Sequence, residues 1–159
     1  MEICDVLDEH GMRTGRTAVR GTILARGEYY LAVQVWIRNE AGEYLIQRRA
    51  AHLASGAGMW ATTAGYVLAG ESSIAGGVRE VYEELGLQLS PAQLRLFDRL
   101  TMERQIEDVW IAEVPKQALG MPQLGSEVSD WQWASKDTLR QMISEGRFFA
   151  YSYFDLLPE

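Results

Sequence analysis

The chain has 159 residues, 47% of them hydrophobic and 23% charged, which favours one globular domain over a disordered chain. Lys and Arg number 15 and Asp and Glu number 22, giving a net charge of −7. Nucleic-acid and anionic-membrane partners are therefore not expected, because both normally require a basic face. One cysteine and two histidines can build neither a disulfide nor a Cys/His zinc site, so a metal ion would depend on carboxylates.

No apolar run approaches the roughly 18 residues that span a bilayer. The first ten residues, MEICDVLDEH, are acidic and lack the apolar core of a signal peptide. Together with the single cysteine, these features predict a cytoplasmic protein.

The first half of the chain is rich in strand patterns. Residues 2–8 predict a strand, 8–15 a turn and 16–24 a returning strand, so residues 1–28 form an N-terminal hairpin extension. A second hairpin and a further strand follow, at residues 29–38, 43–48 and 59–67.

Helical patterns appear at two later points. Residues 72–85 place Ile74, Val78, Val81 and Leu85 within about 60° of arc at 100° per residue, with Ser72 or Ser73 as N-cap and Gly86 as terminator. A strand pair at 94–101 and 109–114, a strand at 131–134 and a helix over 135–145 follow, whereas the final apolar residues fit a helix or a strand equally. This order predicts a mixed α/β fold.

Three carboxylates lie opposite the apolar stripe of the first helix. Glu80, Glu83 and Glu84 share an arc of about 100° on the helical wheel. A solvated helix face would explain an arbitrary segment of this kind. However, like charges at this spacing repel, and two internal glycines, Gly76 and Gly77, weaken the helix. Several unfavourable choices in one helix are typical of a functional site, and Mg²⁺ or Mn²⁺ would relieve the repulsion.

Residues 65–87, GYVLAGESSIAGGVREVYEELGL, resemble the signature box of the Nudix hydrolases. The nine defining positions all match at the required spacing: Gly65, Glu71, Arg79, Glu80, Val81, Glu83, Glu84, Gly86 and Leu87. The resemblance implies an α/β/α sandwich around a mixed β-sheet, here one Nudix domain over residues 1–159. It also implies a pyrophosphohydrolase that uses Mg²⁺, or Mn²⁺ in its place, and attacks the diphosphate linkage of a small-molecule nucleoside diphosphate derivative with water.

The resemblance also assigns roles to individual residues. Glu80, Glu83, Glu84 and the Gly65 carbonyl would be the metal ligands, and Glu71 and Arg79 a structural brace. Glu80, Glu83 and Glu127 are the catalytic candidates, with Glu103, Glu107 and Asp108 as competitors of Glu127 for the role of base. Arg48, Arg49 and Tyr66 are the candidate substrate-binding residues, and a homodimer through the aromatic C-terminal segment is a further expectation.

Two other functions compete with hydrolysis. The N-terminal extension and the Gly58-Met59-Trp60 turn resemble the isopentenyl diphosphate isomerase branch of the same family. In that branch a cysteine precedes the box glycine and a histidine follows it, but here these positions are Ala64 and Tyr66. The second competitor is a sensor that binds a nucleotide without cleaving it, which would not need a complete carboxylate set.

Overall fold

A computed structural model describes residues 1–159 and contains nine β-strands and three α-helices. The strands are β1 (Ile3–Leu7), β2 (Arg13–Val19), β3 (Tyr30–Arg38), β4 (Tyr44–Arg49), β5 (Trp60–Ala61), β6 (Thr63–Tyr66), β7 (Leu94–Thr101), β8 (Gln105–Glu113) and β9 (Val128–Ala134). The helices are α1 (Ser73–Leu85), α2 (Lys116–Leu119) and α3 (Lys136–Ser144), and short 3₁₀ turns lie at Pro91–Gln93 and Phe154–Leu156.

The main sheet has seven strands and is mixed. Its path runs β5-β4-β3-β8-β7, with β6 paired to β3 and β9 paired to β4. The β3–β8 pair is parallel, whereas the other pairs in this sheet are antiparallel. The predicted mixed sheet is confirmed.

Helices cover both faces of this sheet because β3 alternates its side chains between them. Val35 and Ile37 belong to a core cluster with Val81 and Leu85 of α1. Trp36 belongs to a second cluster that includes residues of α3 and the C-terminal segment. The result is the predicted α/β/α sandwich.

The predicted N-terminal hairpin is present as a separate two-stranded sheet, β1-β2. It is joined to the rest of the chain by an isolated bridge between Leu7 and Tyr29. Its second strand begins at Arg13 rather than residue 16, because the Asp8 carboxylate accepts the backbone N–H groups of His10 and Met12 and closes a tighter turn.

Helix α1 begins and ends close to the predicted residues. Ser72 is the N-cap and accepts the backbone N–H of Ala75, and Gly86 ends the helix in the left-handed region with φ 66°. Gly76 and Gly77 lie on the buried side of α1. A Cβ at Gly77 would meet Val35 of the sheet at 3.1 Å, so glycine allows the helix to pack closely on the sheet.

Several strand boundaries differ from the prediction. The strand expected over 59–67 is interrupted at Thr62, whose hydroxyl donates to the Val35 carbonyl while its N–H donates to Tyr151. Strand β8 starts at Gln105, four residues early, through its parallel register with β3. Strand β9 starts at Val128, because pairing with β4 extends it beyond its apolar core.

The aromatic C-terminal segment packs inside the chain. Phe148, Tyr153 and Phe154 are buried in the cluster around Trp36, and the Trp36 indole N–H donates to the Tyr153 hydroxyl at 2.9 Å. The buried aromatic residues of this segment therefore do not form an exposed dimer interface. The homodimer stays a prediction. No helix combines the length and apolar character needed to cross a membrane.

Candidate active site

Five carboxylate side chains face one cavity of about 430 Å³ at the junction of α1, β6 and the loop before β9. They belong to Glu2, Glu80, Glu83, Glu84 and Glu127. Ala64 and Gly65 of β6 and two arginines, Arg20 and Arg49, also line the cavity. Carboxylates from three separate parts of the chain thus converge on one space.

Two of these carboxylates are buried. Glu80 and Glu84 are only 7% and 9% exposed, so a fully solvated helix face is the wrong interpretation of this segment. Glu80 lies directly against β6 because residue 65 is glycine, and a Cβ there would overlap the Glu80 carboxylate. The absence of a side chain at Gly65 therefore leaves room for the Glu80 carboxylate at the edge of the cavity.

Burial changes the acid strength of both groups. Burial, with a smaller contribution from the charges of Glu80 and Glu127, raises the pKa of Glu84 to about 8. Burial likewise raises the pKa of Glu80 to about 7, despite the opposing effect of Arg79. Glu84 accepts a hydrogen bond from the Gln47 amide but forms no ion pair, so its negative charge lacks a compensating cation.

Arg79 connects the box helix to the loop that precedes it. Its Nε and Nη2 donate to the two Glu71 carboxylate oxygens at 2.9 and 3.1 Å, and Nη2 also donates to the Tyr66 carbonyl at 2.8 Å. Its Nη1 donates to Glu80 at 2.9 Å and to Glu83 at 3.2 Å. This geometry is the one that a brace requires.

The two candidates for the general base both reach the cavity. Glu83 projects from α1 with its side chain 53% exposed. Glu127 lies on the loop before β9, where the Gly125 N–H donates to the Glu84 carbonyl at 3.0 Å. A Cβ at Gly125 would overlap the Glu83 carbonyl, so this loop is docked against the end of α1 and already places Glu127 at the cavity.

The competing acids lie elsewhere. Asp108 is buried and binds Arg99 and Ser73. Glu107 faces a second cavity, and Glu103 is exposed and lines neither cavity.

The three candidate substrate-binding residues do not lie together, and only one of them lines the carboxylate cavity. Arg49 lines the carboxylate cavity. Arg48 lies outside it, with its Nε donating to the Gly58 carbonyl at 3.0 Å. Tyr66 also lies outside the cavity: its ring meets Tyr30 edge to face and its hydroxyl donates to Gln105. The structure therefore brings only Arg49 to the carboxylates.

Sequence reasoning missed Arg20 and Glu2, which the hairpin contributes to the cavity. Arg20 donates to Glu2 at 2.8 Å, and its guanidinium lies 4.7 Å from the centre of the Tyr66 ring. Tyr66 thus supports an arginine that faces the cavity. No local pattern marks these residues, because only the packing of β1 and β2 against the sheet brings them there.

The donor set suits a divalent cation. No three carboxylates already converge on a single point as ligands, because Glu80 is paired with Arg79 and Glu84 with Gln47. Carboxylate and carbonyl oxygens are nevertheless the ligands that Mg²⁺ and Mn²⁺ prefer. Glu84 in addition is a buried carboxylate without a counter-charge. Glu80, Glu83, Glu84 and the Gly65 carbonyl are therefore the residues that would hold such an ion.

The sandwich and its acidic cavity define a carboxylate-rich α/β enzyme site on a loop–helix–loop. The NUDIX domain family matches residues 28–157. The chain therefore belongs to the Nudix hydrolase family.

Relatives matched over most of their length support this assignment, and one solved structure supports the fold. An uncharacterised Nudix hydrolase from Listeria monocytogenes is 34% identical over 99% of this chain and 94% of its own length. An isopentenyl-diphosphate Delta-isomerase from Pectobacterium atrosepticum is 28% identical over 92% of this chain and 84% of its own length, in keeping with the branch resemblance. The crystal structure of DR0079 from Deinococcus radiodurans superposes with a TM-score of 0.77 and 19% identity, covering 98% of this chain and 96% of that chain.

Replacing Arg79 by Ala should lower both stability and activity. The variant leaves the partly buried carboxylates of Glu71 and Glu80 without their cation, which costs about 3 kcal/mol in comparable buried pairs. Thermal melting and turnover of the purified variant measure the two effects. Lost activity with an unchanged melting temperature would show that Arg79 contacts substrate rather than bracing the loop.

Raising the pH should destabilise the metal-free chain through Glu80 and Glu84. Their folded pKa values, about 7 and 8, exceed the ordinary 4.5, so between pH 5 and 8 the folded state binds more protons than the unfolded state. The free energy of unfolding contributed by this pair therefore falls as pH rises. Melting temperatures across this range should fall less steeply in Glu84→Gln, and an identical slope would contradict the assignment.

Proposed function

We propose that the chain is a Mg²⁺-dependent pyrophosphohydrolase that cleaves the diphosphate linkage of a nucleoside diphosphate joined to another group. The observation that supports this proposal best is the convergence of Glu80, Glu83, Glu84 and Glu127 on one cavity. Hydrolysis of a diphosphate needs a cation site, a base for the water and positive charge for the phosphate oxygens, and the cavity offers residues for all three.

A divalent cation bound there would neutralise phosphate charge and acidify water. Glu80, Glu83, Glu84 and the Gly65 carbonyl would supply its ligands, and Mn²⁺ would be accepted in place of Mg²⁺. Glu83 or Glu127 accepts the proton of the attacking water. Arg20 and Arg49, at the rim of the cavity, bind the diphosphate oxygens.

The proposed substrate is a small molecule, and we propose the cytoplasm as the place of action. A nucleotide sensor would need phosphate contacts but no base for water. Glu127, placed at the cavity by the docking of Gly125, therefore favours hydrolysis over sensing.

Hydrolysis should require the cation. EDTA should abolish the formation of nucleoside monophosphate from a panel of nucleoside diphosphate sugars and dinucleotides, and Mg²⁺ or Mn²⁺ should restore it, because the carboxylates otherwise repel the diphosphate. The same ions should raise the melting temperature of the native chain, since they bind the folded state, and should raise it less in Glu84→Gln. Full turnover in rigorously chelated buffer would refute this mechanism.

Substitution of the two candidate bases should have unequal effects. Glu83→Gln removes a metal ligand and should reduce turnover at least about a thousandfold. Glu127→Gln should reduce it about ten- to a thousandfold, near the usual range for a general base. Glu103→Gln, which changes an exposed glutamate outside the cavity, is the matched control. Wild-type turnover in Glu127→Gln at every metal concentration would remove Glu127 from the mechanism.

Isomerase activity should be absent. Ala64 is exposed and lines the carboxylate cavity, but its methyl group cannot transfer a proton. The Tyr66 side chain points away from the cavity. Incubation with isopentenyl diphosphate in heavy water should therefore yield no deuterated dimethylallyl product, and clear turnover would favour the isomerase over the hydrolase.

A further inference from the structure

A second cavity of about 380 Å³ adjoins the carboxylate cavity, and Arg49 and Ala64 line both. Its walls are mainly apolar and aromatic, with Leu100, Met102, Phe149, Tyr151 and Tyr153 among them. A ligand whose phosphates lie against the carboxylates can therefore extend its other end into this aromatic pocket. Its volume falls in the range of small-molecule sites.

The polar residues that line the aromatic pocket are Gln34, Arg49, Thr62, Glu107 and Ser152. Gln34 Nε2 donates to Glu107 Oε2 at 2.9 Å, and the Gln105 amide donates to the other oxygen, Oε1. Glu107 forms no ion pair, and burial raises its pKa. Glu107 is the only carboxylate among these residues, and two amides rather than a cation hold it.

The hydrogen-bond directions show that Glu107 is held as an acceptor. The Trp36 indole can only donate, and it donates to the Tyr153 hydroxyl, which in turn donates to Gln34 Oε1. The Gln34 amide nitrogen must therefore point at Glu107. On the other side, the Tyr66 hydroxyl donates to Gln105 Oε1 at 2.9 Å, which turns the second amide nitrogen toward the same carboxylate.

An ionised carboxylate has about four acceptor positions on its two oxygens. The two amides use one on each oxygen, so an acceptor position on each remains for a ligand. A hydrocarbon tail in the aromatic pocket would strip water from these positions without replacing its hydrogen bonds, which is costly. A ligand carbonyl would meet the carboxylate oxygens with like partial charge.

We propose, on the basis of the hydrolase function above, that the aromatic pocket binds the nucleobase and that Glu107 selects bases with an exocyclic amino group. Adenine, cytosine and guanine each present such a donor, and a carboxylate accepting from a base amine is an established mode of base recognition. The aromatic walls stack on the flat face of the base. Uracil and hypoxanthine place a carbonyl where adenine and cytosine carry the amine, and they bind less tightly.

Calorimetric titration of the full chain with nucleoside monophosphates in Mg²⁺ buffer tests the proposal. In two pairs, AMP with IMP and CMP with UMP, a carbonyl replaces the exocyclic amine of the base. GMP and IMP differ only in the 2-amino group. The tightest ligand should carry an amine and should bind at least about tenfold tighter than its amine-free partner. Tightest binding of UMP or IMP, equal binding within the pairs, or no binding at millimolar concentration would overturn the proposal.

In the pair that contains the tightest ligand, Glu107→Gln should reduce the ratio of the two dissociation constants to about threefold or less, because an amide can also donate to a carbonyl. Glu103→Gln, on the neighbouring hairpin loop, is the matched control and should keep the native ratio. If Glu107→Gln does not fold, Glu107→Asp is the second variant. It keeps the carboxylate on a side chain one methylene shorter, so it should give an intermediate ratio. An unchanged ratio in a folded Glu107 variant would refute the assignment to this residue.

Failure of this proposal is distinguishable from failure of the hydrolase proposal. Hydrolysis of ADP-, CDP-, GDP- and UDP-glucose at equal efficiency would support hydrolysis and contradict base selection. Amine-dependent binding without hydrolysis of any substrate would support base selection and contradict the hydrolase.

Discussion

The Arg79 guanidinium joins helix α1 to the chain segment before it. It contacts the carboxylates of Glu71, Glu80 and Glu83 and the carbonyl of Tyr66, so one side chain fixes both ends of the loop–helix unit. Without this cation Glu71, Glu80 and Glu83 would lose the ion pairs that offset their mutual repulsion. Two of the cavity carboxylates, Glu80 and Glu83, are held directly by this anchor.

Arg79 compensates only part of the negative charge. Glu84 lies deeper, against Gln47, with no cation near it, and Glu127 adds a further charge from the docked loop. Such an excess of buried and clustered carboxylates costs stability in the metal-free state. Under the proposed function, the same excess would provide the oxygen ligands that a divalent cation needs, and the lost stability would be the cost of that site.

The sequence allowed much of this architecture to be predicted. The apolar spacing of Ile74, Val78, Val81 and Leu85 located α1 within a residue, because a helix face must match the core at a period of 3.6. The Nudix box located the carboxylates by their spacing. Both signals lie within a short stretch of sequence, so they can be recognised without knowledge of the tertiary structure.

Features that depend on distant packing could not be predicted. The wheel placed Glu80 and Glu84 opposite the apolar stripe, but it could not show that β6 and Gln47 cover them. Tyr66 was predicted to bind substrate from its place beside Gly65, yet its ring packs on Tyr30 and its hydroxyl donates to Gln105. Arg20 and Glu2 reach the site only through the fold of the hairpin, which leaves no spacing signal within the box.

The central claim is that the carboxylates of α1 bind a divalent cation in exchange for protons. Calorimetric titration of the metal-free chain with Mn²⁺ at pH 7, in two buffers of different ionisation enthalpy, measures the protons released per ion bound. Since the pKa values of Glu80 and Glu84 are about 7 and 8, binding should release protons in the native chain and fewer in Glu84→Gln. Absence of binding, or equal proton release in both proteins, would contradict the account.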